Sequence, residues 1–188
     1  SSTTSFAKFT KTDGTTADVT ITGTTLTRND FPSGWTTADV KSVDIGSNVT
    51  TIGSGAFLAT INLQSVTFAE DSKCTTIQNE AFISSNLKYG ISLPSSLEQI
   101  GSIAFSRCSG LQSLTIPDSV TSIGDGAFQE CSALQNVTIG NGVTSIGGNT
   151  FSTCSMLESV TIGNGVTSIG NNAFTGCINL ESVTIPDS

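Results

Sequence analysis

The sequence contains no histidine, and only 12% of its 188 residues are charged. Without an imidazole there is no Ser-His-Asp or Cys-His nucleophilic system. There is also no His ligand and no C-x-x-C pair to hold a structural zinc. Basic residues are scarce: Lys8, Lys11, Arg28, Lys41, Lys73, Lys88 and Arg107 are all of them, and none follows position 107. At a net charge of −8, the chain has the opposite of the basic footprint that nucleic acid requires. Its surface reads as acidic and soluble. No stretch approaches the roughly 18 consecutive apolar residues of a membrane span, so this chain is not expected to insert into a membrane. It lacks an initiating Met and a leader pattern, and is read as a mature or excised fragment. The glycines are not followed by Lys as in a phosphate-binding loop, and no cofactor or catalytic residue is expected.

What the chain has instead is self-similarity. Val120–Gly142 reads VTSIGDGAFQECSALQNVTIGNG, and the next two stretches of 23 residues, Val143–Gly165 and Val166–Ser188, repeat it closely. Leu97–Ser119 and Cys74–Ser96 have the same length, the latter with one residue lost after Phe82 and one gained after Leu87. Val49–Lys73 carries two extra residues near Glu70. A fixed period in this range is the signature of a solenoid. Residues 49–188 give six repeats. Residues 24–48 form a degenerate first repeat, with Leu26, Phe31, Val40, Val43 and Ile45 keeping the apolar positions and Pro32-Ser33-Gly34-Trp35 as a turn. Residues 1–23 do not fit the period. Phe6–Lys11 and Ala17–Thr22 alternate like strands around Asp13-Gly14, which predicts a hairpin that caps the open end of the core.

Within one repeat, Leu114 and Ile116 alternate with Ser113 and Thr115, the period of a strand with one face buried. A turn such as Pro117-Asp118-Ser119 follows, then Val120 and Ile123 on a second short extended piece. Asp125 stands where a helix N-cap would, as do Ser54, Ser102 and Asn171 in other repeats. Phe128 and Cys131 then fall three apart, on one face of a short helical turn. One coil cannot bury these side chains alone. Stacked coils can, at about 4.8 Å per coil. The prediction is a β-rich solenoid with parallel strand ladders, short helical or 3-10 turns, and an N-terminal hairpin cap. The chain stops within a repeat at Ile185-Pro186-Asp187-Ser188. The natural protein is therefore expected to continue, and the uncapped C-terminal end is a surface for self-association.

The pattern L-x-x-V-T-I-P-x-S-V-T-x-I-G-x-x-A-F-x-x-C stands at Leu111–Cys131, and again at Leu134–Cys154 with Gly140 in place of proline. It resembles the leucine-rich repeats of the BspA-like, or Treponema-type, surface proteins, over about Thr24 to Ser188. The resemblance implies a cell-surface or secreted module engaged in adhesion. It also implies that the concave strand face is the ligand surface.

Two columns of outward residues line that face. The binding candidates among them are Ser65, Ser113, Asn136, Ser159 and Ser182 in one column, and Thr67, Thr115, Thr138, Thr161 and Thr184 in the other. A protein or extracellular matrix ligand is expected. Small hydroxyl residues also suit a strand ladder for structural reasons alone. A spacer without a specific ligand is therefore the second reading, and a threonine array that orders water or ice is the third. Cys108, Cys131, Cys154 and Cys177 recur 23 apart and are read as a buried ladder of free thiols, since parallel Cβ vectors disfavour disulfide torsions. Asn48 and Asn136 begin N-x-T sequons and are candidate glycosylation sites. Glu158 and Glu181 share one repeat position and read as a solvated pair. Trp35 is expected to plug the Pro32 turn, and Tyr89 to mark an irregular coil.

Overall fold

The computed structural model describes residues 4–187. Ser1–Thr3 of the expected cap and Ser188 of the last repeat lie outside the described residues. The chain is a parallel solenoid of about seven coils. Each coil has three sides, and each side meets its copies in the neighbouring coils.

The front side is the Leu-x-x-Val-Thr-Ile strand. Val40–Ile45 pairs in parallel with Ser65–Phe68, and Ser113–Ile116, Asn136–Ile139, Ser159–Thr161 and Ser182–Thr184 form a second parallel sheet. Between the two sheets lies the coil with the shifted residues, whose front side has the isolated bridge Val66–Ile91 to its predecessor in place of a strand pairing. The second side carries two-residue strands centred on Leu26, Ile52, Ile77, Ile100 and Ile123, with a separate pair at Ile146 and Ile169. Alternation sends Leu114, Ile116, Val137 and Ile139 into the core and the hydroxyl residues between them outward.

The third side is not helical. The only helical pieces among the described residues are two 3-10 turns, Arg28–Asp30 and Thr37–Asp39, both before the regular repeats. Where a capped helical turn was expected, the N–H groups of Gly126, Phe128 and Glu130 donate to Gly148, Thr150 and Ser152 of the next coil, at 2.8–2.9 Å. The intervening N–H groups of Ala127 and Gln129 close tight turns within the coil. A helix would consume all of these donors internally, whereas tandem turns leave every second one for the neighbour. The geometry requires two left-handed residues per coil, four apart around the Phe: Gly126 at φ 63° and Glu130 at φ 57°, Asn149 and Thr153, Asn172 and Gly176. Asp125 correspondingly does not cap its own coil; its carboxylate accepts the Gly148 N–H of the next coil at 2.9 Å.

These turns aim one phenylalanine per coil inward. Phe57, Phe82, Phe105, Phe128, Phe151 and Phe174 stack with ring centroids 5.0–5.6 Å apart and planes within 8° of parallel. Phe31 and Phe9 close the N-terminal end of the column at tilted angles. The cap is the expected hairpin, β1 (Ser5–Lys11) and β2 (Thr16–Ile21), turned at Asp13-Gly14. β1 pairs antiparallel with Val40–Ile45, so the hairpin extends the front sheet while Ala7 and Phe9 cover the core. Trp35 packs half-buried against the core, with its backbone N–H donating to the Pro32 carbonyl.

Two substitutions separate packing from backbone conformation. Phe105→Ala opens a cavity in the middle of the column and is expected to cost about 3–5 kcal/mol in chemical denaturation. Ile103 occupies a left-handed position at φ 49°, which a β-branched residue adopts at a cost of about 1–2 kcal/mol. Ile103→Asn, the residue found at two equivalent positions, should raise the denaturation midpoint. A lower midpoint would show that the lost packing of the Ile103 side chain outweighs the relieved strain.

Candidate functional site

The front face presents the two expected columns in register. Ser113, Asn136, Ser159 and Ser182 pair side by side, as do Thr115, Thr138, Thr161 and Thr184. All are exposed except Ser159, which is half-buried and donates its hydroxyl to Asn136 Oδ1 at 2.6 Å. Ser65 and Thr67 belong to the other block, paired with Ser42 and Asp44, and the Thr67 hydroxyl donates to the Asp44 carboxylate. The columns are therefore two blocks and not one. The interruption falls at Tyr89, which is 70% exposed, and at Gly90, which turns left-handed. Tyr89 marks the irregular coil from the outside, with Lys88 Nζ 5.5 Å from its ring.

The sequence reading missed that the cap continues this face. The antiparallel register sets Thr16 and Thr10 beside Ser42, and Asp18 and Lys8 beside Asp44. The alternation of Phe6–Lys11 carried the signal, but the register against a strand 30 or more residues away depends on the fold. The only ion pair among the described residues is Arg107–Glu130 at 3.0 Å, well exposed and worth little. Lys8, Asp18 and Asp44 thus face solvent without an ion-pair partner among the described residues.

Behind the face, the cysteine positions do a defined job. The Cys108, Cys131, Cys154 and Cys177 thiols each donate to the phenylalanine carbonyl of the preceding coil, at 3.1–3.3 Å. Ser85 stands at the same position and donates to the Phe57 carbonyl at 2.7 Å, sharing it with Thr60. The side chain here satisfies an inward carbonyl, and a buried hydroxyl or thiol serves equally. Burial pushes the Cys108 thiol well above its ordinary pKa. Hydrogen bonding to the Cys131 thiol, then burial, does the same for Cys154. Cys74 and the half-buried Cys177 are each pushed up to about 11 by desolvation.

Of the two sequon residues, Asn136 lies exposed on the front ladder. The Asn48 amide is occupied: Nδ2 donates to the Thr4 carbonyl at 3.0 Å and Oδ1 accepts Lys73 Nζ at 2.9 Å. Glu158 and Glu181 are exposed on adjacent coils. Among the described residues, no group of three or more His, Cys, Asp or Glu side chains is arranged to hold a metal, and no helix is long and apolar enough to cross a membrane.

A stacked Phe column behind a Leu-Val-Ile strand ladder with a hydroxyl-rich outer face defines a leucine-rich repeat solenoid. The repeats match the BspA type leucine-rich repeat region in six copies, over residues 24–89 and 75–188, and the chain belongs to that family. Among solved structures it is similar to a leucine-rich repeat protein from Bacteroides ovatus, at 24% identity and a TM-score of 0.74, over 98% of this chain and 52% of that one. It is also similar to the T. pallidum leucine-rich repeat protein, at 24% identity and 0.55, over 74% of this chain and 83% of that one. The pneumococcal vaccine antigen PcpA matches at 20% identity and 0.51, over 96% and 59%. The chain thus spans about half the length of the Bacteroides protein. No curated protein matches its sequence.

The thiols give a measurable pH dependence. The folded-state pKa values of Cys74 and Cys177 lie above the unfolded value of 9.0, so the stability these two contribute is complete below that value and is lost as pH climbs through it toward about 11. The expected result is a denaturation midpoint that is flat on the acid side of the thiol range and falls across pH 9–11. A thiol reagent at pH 8 should label the native chain slowly and the unfolded chain fully. Fast labelling of Cys108 or Cys131 in the native chain would contradict the buried ladder.

Proposed function

We propose that the chain is a non-enzymatic binding module of a surface-exposed or secreted protein, with the exposed front ladder as the surface that takes a protein or extracellular matrix ligand. The observation that carries this reading is the four-coil block from Ser113 to Thr184. Eight small polar side chains stand there in register on a sheet whose other face is core. A rigid ladder loses little entropy on binding, and solenoid stacking supplies extended surfaces for partners. The absence of histidine, and the lack of a site with convergent titratable groups among the described residues, favour binding over chemistry. The likeness in fold to a pneumococcal vaccine antigen supports a location where other cells and proteins are met.

A spacer that only projects a neighbouring part of the protein is the second reading. It is favoured by the lack of Trp, Tyr or Arg in the eight positions, since such residues dominate binding energy in interfaces.

The test is the chain beside its Thr115→Lys/Thr138→Lys/Thr161→Lys variant on a panel of extracellular matrix and host-surface proteins, with folding checked by circular dichroism. Saturable binding by the chain, weakened at least tenfold in the folded variant, is the expected result. Saturable binding that the variant retains would move the site off the ladder, and no binding by either would favour the spacer.

A further inference from the structure

We propose that the cap carries a docking groove, beside Phe6 and over Gly46 and Ala69, for a partner-protein segment in which a large apolar side chain neighbours a lysine or arginine. The inference rests on the binding-module reading and places its anchor at the cap end of the front sheet.

The groove arises from the register of the cap. Continuing the pairing of Ala7 with Ile45, Phe6 on β1 comes opposite Gly46, whose N–H donates to the Phe6 carbonyl at 2.9 Å. No larger residue fits there, since a Cβ on Gly46 would lie 2.6 Å from that carbonyl oxygen. Ala69 continues the row, its N–H bonded to the Ile45 carbonyl. A phenyl ring thus stands beside bare backbone and a methyl group. Phe68, in register with the buried Ile45, packs against the core from the other face of the sheet, and the volume of the hollow is about 550 Å³. Phe6 is 55% exposed and lies outside the phenylalanine column. An exposed aromatic beside a hollow is the kind of anchor that interfaces use.

Charge selects the occupant. The next row along the sheet is Asp18, Lys8, Asp44 and Thr67, two carboxylates to one ammonium, none of them in an ion pair with another described residue. The Thr67 hydroxyl holds the Asp44 carboxylate in place. A lysine or arginine laid over this row gains an excess of negative charge, and an acidic segment is repelled. The net charge of −8 steers basic partners in the same sense.

The test is selection of a phage-displayed library of random twelve-residue peptides on the full 188-residue chain, followed by titration of the recovered peptides. The chain, Phe6→Ser, Asp18→Asn/Asp44→Asn and the triple-lysine ladder variant are compared, all checked for folding by circular dichroism. The expected peptides pair an aromatic or aliphatic residue with an adjacent Lys or Arg. Their affinity should fall at least tenfold in Phe6→Ser. It should fall several-fold in the Asp18/Asp44 variant, with a weaker salt dependence, and stay unchanged in the ladder variant. Peptides that bind Phe6→Ser and the Asp18/Asp44 variant as well as the parent chain, but lose affinity in the ladder variant, would overturn the groove and leave the ladder reading standing. Failure to recover any peptide, or recovery of acidic ones, would overturn the groove as well, while matrix-protein binding decides the ladder separately. Should Phe6→Ser fail to fold, the Asp18/Asp44 variant carries the same decision.

Discussion

Each coil satisfies its backbone on its neighbours, and that is possible only because the same backbone conformation returns every 23 residues. On the front and second sides the bonds are ordinary parallel pairings. On the turn side they run from Gly55, Phe57 and Ala59 to the next coil, and so on through Asn149, Phe151 and Thr153. Everything else follows from this register. The phenyl rings stack because their Cα atoms are one coil apart, and the thiols reach the carbonyls behind them for the same reason. The outward hydroxyl residues then form columns with no further instruction. An insertion breaks the register only where it falls: the shift near Leu87 costs the front ladder one coil, yet Phe82 stays stacked at 5.0 and 5.1 Å from its neighbours.

Much of this was readable from residues alone, because periodicity is a strong signal. The buried set, the strand positions and the hairpin cap came from alternation and spacing. The turn side did not. Phe128 and Cys131 three apart look the same on a helix and on a pair of tandem turns, and a short apolar spacing does not distinguish them. A clue was present in Gly55, Gly126, Asn149, Asn172 and Gly176, residue types that tolerate the left-handed conformation, but Glu80, Ile103 and Arg107 obscure it. Ser85 at the thiol position was legible only once the Phe57 carbonyl was seen to need a donor.

The candidate face divides the same way. Its composition and alternation are sequence properties, and the columns fall where the spacing puts them. Their split into two blocks, and the addition of Phe6, Lys8 and Asp18 from the cap, depend on a long-range antiparallel register that no local pattern encodes. Function on a repeat scaffold is carried by surface choices that the core does not dictate. The irregular places, the cap and the Tyr89 coil, are where this chain departs from its own pattern.

The tandem turns have an electrical consequence. On that side every inter-coil N–H points toward the C-terminal neighbour and every accepting carbonyl points back, so three peptide dipoles per coil align along the solenoid axis. At about 3.5 D each and about 4.8 Å per coil, their density is close to that of an α-helix, with 3.6 peptides per 5.4 Å turn. The molecule lacks the transverse helices its sequence seemed to promise, and the alignment belongs to the turn side alone: elsewhere in each coil the inter-coil N–H groups run the other way, as from Thr121 and Gly124 to Glu98 and Ile100 of the preceding coil, and offset it. Arg28 closes the cap-side end of the turn-side row, its guanidinium donating to the Leu58 carbonyl at 2.6 Å. Adding coils lengthens this row without closing it, so its two ends stay unlike whatever the number of coils: carbonyls end it on the cap side and N–H groups on the other.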